Sequence, residues 1–275
     1  MYISPMILKR LERIQRVLDK LQPDAEPQAF VAPGSPVPHA NIIVFPGSFN
    51  PPTIAHIALL KQARRFSQQT QQNDHRIYLY AAISKHIVDK EKVERPLLVD
   101  RIDLLTQVLH RRVENAGILL FNRGLYVEQA EAVHASFPRV KRLLFLIGFD
   151  KIVQILDPHY YDDRNASLKT LFSMSELLVA PRGKDGEQEL NVLIHKPENE
   201  QFAHYIHPLP FDNRYRNISS TEVREGVVGA REDVPREVQE FMRKTRAYAK
   251  PIRMPDGSEY DYYGERMKEL KRLLH

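Results

Sequence analysis

The run Gly47-Ser48-Phe49-Asn50-Pro51-Pro52-Thr53-Ile54-Ala55-His56 holds residue types suited to a phosphate group. Gly47 lets backbone come close to a ligand, Ser48 offers a hydroxyl and an amide, and two prolines force a turn before a helix begins. Thr53 is a candidate N-cap, which places His56 in the first helical turn. Backbone amides through Phe49, the positive end of the helix and an imidazole then converge where negative charge is favoured. The plainer alternative is a strand-to-helix turn with a capping threonine and a surface histidine.

A second run, Ile218-Ser219-Ser220-Thr221-Glu222-Val223-Arg224, brings hydroxyls and helix-terminal amides within one turn of a guanidinium. An arginine fork beside a helix start suits the outer phosphates of a nucleoside triphosphate. Ser219 and Glu222 equally make a capping-box pattern that needs no ligand. Gly148-Phe149-Asp150 follows an apolar run, where glycine permits close approach and aspartate accepts hydrogen bonds; a helix cap is again the plain alternative. There is no cysteine, so thiolate nucleophiles, disulfides and sulfur-bound zinc are excluded. His204 and His207 lack a third ligand nearby, and no protein metal site is read. None of the eleven glycines makes GxGxxG, and GxxxxGK[ST] is absent. Phosphate binding through the dinucleotide fingerprint or a P-loop is therefore excluded.

Taken together, GSFNPPTxxH and ISSTxxR resemble the paired signatures of the nicotinamide and nicotinate mononucleotide adenylyltransferases, and more distantly the HIGH-motif domain of class I aminoacyl-tRNA synthetases. Thr53 takes the [TH] place and His56 the closing histidine; Ala55 stands where many members have glycine. The resemblance covers about Asn41 to Ala249. It implies transfer of an adenylyl group from ATP to a pyridine mononucleotide by direct in-line attack. On this view His56, Thr53 and Arg224 are catalytic. ATP is met by Gly47, Ser48, Phe49, His56, Gly148, Asp150, Ile218, Ser219, Ser220, Thr221 and Arg224. The mononucleotide is met by Ser48, Lys85 and Tyr126, although a core tyrosine fits Tyr126 as well, and Arg182 is a further basic residue near the nucleotide. Mg²⁺ is expected with ATP, held mainly by phosphate oxygens and water.

These residues need a frame that delivers them to one place. Strands are expected over Asn41 to Phe45, Arg76 to Ala82, Gly117 to Asn122, Arg142 to Ile147, Leu177 to Ala180 and Val192 to His195. Helices are expected over Ile54 to Gln69, Pro96 to Arg111, Leu125 to Ser136 and Asp150 to Leu156, then Glu222 to Val228 and Pro235 to Ala249. Alternating β and α with nearly continuous apolar strands predicts a Rossmann-like, doubly wound parallel sheet with helices on both faces and a helical C-terminal part. Such a sheet binds ligands beyond the carboxyl ends of its strands. Ile7, Leu8, Leu11, Ile14, Leu18 and Leu21 predict an amphipathic N-terminal helix in residues 1–22 that packs on its own domain. Pro23, Pro27, Pro33, Pro36 and Pro38 read as a linker over 23–40, with a catalytic domain over 41–250 and a tail over 251–275.

The chain has 275 residues, with 40 Lys and Arg against 35 Asp and Glu, a net charge of +5. That excess suits anionic small molecules, here ATP and a mononucleotide, and shows no clustered stripe for nucleic acid. The longest apolar run, Leu143 to Phe149, falls far short of the roughly 20 residues a bilayer needs. The chain accordingly reads as intracellular, cytoplasmic or nuclear, with no membrane or nucleic-acid partner and homo-oligomerisation left open. Three alternatives stand beside the adenylyltransferase reading: another acceptor or CTP, a nucleotide-binding protein or weak ATPase without transfer, and RNA binding through the synthetase likeness.

Overall fold

The computed structural model describes residues 3–70, 77–85, 95–181 and 186–274. Helix α1 (Pro5–Lys20) starts at the N-cap Ser4, whose hydroxyl accepts the Ile7 amide, with proline at the first helical position. Its buried side, Leu11, Ile14 and Leu18, faces the protein, as the spacing predicts. Strand β1 (Ala29–Val31) follows, then β2 (Ala40–Pro46), α2 (Ile54–Thr70) and β3 (Ile77–Ser84). Next come α3 (Leu98–Arg112), β4 (Ala116–Phe121), α4 (Tyr126–Ser136), β5 (Val140–Gly148) and α5 (Phe149–Leu156). After α6 (Arg164–Met174), β6 (Glu176–Ala180), α7 (Gly186–Ile194) and β7 (Ile206–Pro208), the chain becomes mainly helical. It continues through α8 (Ser220–Glu225) and α9 (Arg236–Thr245), a short hairpin β8 (Ile252–Arg253) and β9 (Glu259–Tyr260), and α10 (Tyr262–Leu274).

The main sheet runs β1-β4-β3-β2-β5-β6-β7, all parallel except β1. Successive residues of a strand point to opposite faces. Ile43 and Phe45 of β2 therefore join one apolar layer with α1, α2, α3, α9 and α10, while Ile42 and Val44 join the other with α4, α5, α6 and α7. From β2 the chain winds outward through β3 and β4, then returns to β5 and winds the other way. This reversal sets the switch point between β2 and β5, and sheets of this kind bind ligands beyond the carboxyl ends of their strands at that point. The doubly wound fold is thus as expected.

Three local expectations are corrected. Val192 to His195 is no strand: it closes α7, whose buried residues Gly186, Leu190 and Ile194 recur every four positions while Val192 is exposed. So short an apolar run does not reveal its helical period, and the edge strand of the main sheet is instead Ile206–Pro208. Within the proline-rich stretch, Ala29–Val31 is no free linker; it pairs antiparallel with β4, Ala29 opposite Phe121. Glu222 to Val228 does not stay helical, because Gly226 turns left-handed at φ +72° and stops α8.

Candidate active site

The register puts the two halves of the site level with each other. Val44 lies beside Phe145, so Gly47 at the end of β2 and Gly148 at the end of β5 flank the same switch point. A Cβ on Gly47 would meet the Phe49 ring at 3.1 Å, a tight contact, so glycine gives the ring room to fold back on the loop. Phe49 itself sits at φ +43° and is buried. Gly148 is the exposed N-cap of α5, and Asp150 lies in that helix's first turn.

His56 is fixed by its own helix start. Nδ1 accepts the Thr53 amide at 2.9 Å and lies 2.7 Å from Thr53 Oγ1, which also accepts the His56 amide at 3.4 Å. A nitrogen that accepts an amide N–H carries no proton, so the neutral ring holds its hydrogen on Nε2. Phe45 and Phe49 pack on the ring, with centroids at 5.7 Å and 5.0 Å. Burial pushes the imidazole down to about 4, and it is a neutral hydrogen-bond donor at ordinary pH. The amides expected to face phosphate are partly committed elsewhere. Gly47 donates to the Ala82 carbonyl at 3.0 Å and Ile54 to the Asp233 carbonyl at 2.8 Å, besides the Thr53 amide on His56.

The second run meets the first. Arg224 Nη1 donates to the Asn50 carbonyl at 2.5 Å across a separation of 174 residues, and Nη2 donates to Thr221 Oγ1 at 2.9 Å. Ser220 Oγ donates to the Pro51 carbonyl at 2.8 Å. Ser219 caps α8 through the Thr221 amide at 3.1 Å, and Ile218 precedes it, half-buried.

Two residues that motif reading passed over complete this clamp. Arg101 of α3 donates from Nη2 to the Ser48 carbonyl and is 5% exposed. Burial lowers its pKa; the like charge of Arg224 acts in the same direction, while Tyr248 and Tyr263 oppose it. Asn50 is buried and spans three partners: its Nδ2 donates to the Arg95 carbonyl, its Oδ1 accepts the Tyr248 hydroxyl at 2.6 Å, and its backbone carbonyl receives Arg224. The available signal was Asp100, Arg101 and Asp103 inside a continuously buried stretch of α3, since charges so placed are almost never buried unless paired.

Other expected residues lie apart from this clamp. The Lys85 ammonium, expected on a phosphate, donates to the Leu18 and Leu21 carbonyls at 2.9 Å and 2.8 Å. It caps the end of α1, where carbonyls lack helical partners and favour a cation. Tyr126 packs edge-on against Phe145 at 5.3 Å, and burial raises its hydroxyl pKa. Arg182 lies outside the described residues. Among the described residues, no group of three or more His, Asp or Glu side chains could hold a metal ion, and none of the helices is long and apolar enough to cross a membrane. The guanidiniums of Arg101 and Arg224 lie on the Ser48 and Asn50 carbonyls of the loop.

The model of the cytidylyltransferase-like family matches residues 44–226, from the middle of β2 to the end of α8. The chain belongs to the cytidylyltransferase-like family. Both signature runs fall within the matched span, with only Glu225 and Gly226 beyond the second. The chain is also similar to a curated Schizosaccharomyces pombe protein provisionally named nicotinamide mononucleotide adenylyltransferase, 27% identical over 150 residues. That match covers 53% of this chain and 55% of the relative, so the chain spans about half the length of the curated protein it matches. Among solved structures it is similar to Plasmodium falciparum nicotinic acid mononucleotide adenylyltransferase complexed with APC, at TM-score 0.52 and 18% identity, covering 76% of this chain and 98% of that one. At that identity the likeness shows the fold alone, the Rossmann-like sheet of this family.

Proposed function

We propose that this chain transfers the adenylyl group of ATP to the phosphate of nicotinamide or nicotinate mononucleotide. The observation that carries the reading is the Arg224 hydrogen bond to the Asn50 carbonyl, because it sets the guanidinium of the second run on the phosphate loop of the first. The names of the two relatives supply the substrate class. A phosphate oxygen of the mononucleotide forms a bond to the α-phosphorus of ATP. The bond from that phosphorus to the bridging oxygen breaks, and pyrophosphate leaves with the electron pair. The chain forms no covalent intermediate, so its contribution is alignment and charge stabilisation.

His56 offers Nε2–H to an oxygen on the α-phosphorus, with Thr53 holding the ring. Ser48 and Phe49 line the reacting phosphates, and Gly47 lets the loop close on Phe49. Thr221 and Arg224, set by Ile218, Ser219 and Ser220, face the outer phosphates. Gly148 and Asp150 meet adenosine across the switch point, while Ser48 and Tyr126 border the mononucleotide. Lys85 has no part here, since α1 occupies its ammonium. Mg²⁺ bound by phosphate oxygens and water would neutralise charge on the triphosphate.

The test offers purified protein MgATP or MgCTP together with nicotinamide mononucleotide, nicotinate mononucleotide or phosphopantetheine, with products separated by chromatography. A dinucleotide and equimolar pyrophosphate from ATP and a pyridine mononucleotide are expected. Product from CTP or phosphopantetheine alone, or orthophosphate release without any acceptor, overturns the reading.

A further inference from the structure

The C-terminal tail lies beyond residues 44–226, yet it reaches the phosphate loop by two routes, which meet where Arg95 packs over the Tyr263 ring at 5.2 Å. On the first, Arg266 of α10 donates from Nε and Nη2 to Asp100 at 2.9 Å and 2.6 Å. The Tyr263 hydroxyl donates to the same carboxylate at 2.8 Å and accepts the Leu97 amide at the start of α3, also at 2.8 Å. All three side chains are buried. The residue after Asp100 is Arg101, whose guanidinium holds the Ser48 carbonyl. On the second route, Asp261 pairs with both terminal nitrogens of Arg95 at 2.8 Å, and the Arg95 carbonyl accepts Asn50 Nδ2 at 3.1 Å.

The routes arrive at residues 48 and 50, on either side of Phe49. A buried, non-glycine residue in the left-handed region persists only where its surroundings hold it there. Burying the Asp100–Arg266 pair also gains little stability over an apolar contact, because removing two charges from water offsets their attraction. Removing either partner leaves the other charge buried and unpaired, so the pair holds α10 to α3 in one arrangement.

We infer that Asp261, Tyr263 and Arg266 are positioning residues, through which the C-terminal tail sets the conformation of the 47–50 loop around its reacting phosphates. The inference deepens the adenylyl-transfer reading and rests on it for what the loop does. Tail residues act through Asp100, Arg101 and Arg95, and themselves touch no substrate.

Hydrogen exchange followed by mass spectrometry on the full chain tests it, comparing wild type with Arg266→Gln, Arg266→Lys and Asp261→Asn. The Asp261 pair is only part-buried, so its variant keeps the test open should Arg266→Gln fail to fold. Peptides over 46–56 should exchange about 10-fold faster in Arg266→Gln and Asp261→Asn, with those over 140–148 unchanged. In Arg266→Lys loop exchange should return most of the way to wild type. Turnover should fall in kcat more than it rises in KM for ATP. Wild-type exchange in the loop of both variants, or an equal acceleration across the sheet, overturns the inference. Loop exchange is read without turnover, so if the variants loosen as described while the wild-type chain makes no dinucleotide, adenylyl transfer is refuted and the positioning role stands.

Discussion

At the scale of single residues, His56 shows how far a motif can be taken before contacts are known. Its place one turn into α2 was legible because Thr53 and the prolines announce a helix start. Its protonation was not, since that depends on the Thr53 amide reaching Nδ1 and on Phe45 and Phe49 excluding water. The free protein should show a His56 ring that titrates near 4 by NMR rather than near 6.5. A midpoint near the ordinary value contradicts the neutral-donor role. The sign for stability follows: the folded value lies below the unfolded one, so this group's contribution is complete above pH 6.5 and is lost as pH falls toward 4. Arg101 was missed for a different reason. Nothing in its sequence neighbours points to Ser48, which is 53 residues away and reached only through the packing of α3 under the loop.

At the scale of elements, period and burial are legible in many of the longer segments, the stripe in α1 and the strands β2 to β6 among them. Helix α6, 11 residues long, is not among the expected helices. Short segments failed: the end of α7 has too few turns to show a helical period, and β1 is three residues long inside a proline-rich stretch. Its pairing with β4 also depends on Asn122, whose side chain holds the Gln22, Ala25 and Glu26 carbonyls ahead of it. Lys85 belongs to this scale, because its two bonds to the end of α1 join that helix to the strand end of β3. Lys85→Met should lower unfolding free energy by roughly 1–3 kcal/mol, measured by urea denaturation, through the loss of charged hydrogen bonds. A variant as stable as wild type would show that these bonds contribute nothing net.

At the scale of the whole molecule, the doubly wound order was legible because alternating apolar strands and helices admit few topologies. The order itself puts Gly47 and Gly148 beside each other at the switch point. What no local pattern could show is that α1 packs on α3, that α10 packs on α1 and α9 and bonds α3 through Asp100, and that the tail so reaches the phosphate loop. Glu176 gives a second tie of this kind. Burial pushes its carboxyl up, but hydrogen bonds from Arg142 and His207 outweigh that and hold it near 2, linking β5, β6 and β7.

The central claim is that both signature runs grip one nucleoside triphosphate, the second at its far end and the first at its reacting phosphorus. Calorimetric titration of MgATP into wild type, Arg224→Ala and His56→Ala, with turnover measured in parallel, separates the two grips. Arg224→Ala should weaken ATP binding by about 10-fold or more, the scale of a charge-assisted hydrogen bond. His56→Ala should bind ATP nearly as wild type yet turn over roughly 10²- to 10³-fold more slowly. Unchanged ATP affinity in a folded Arg224→Ala variant would contradict the account.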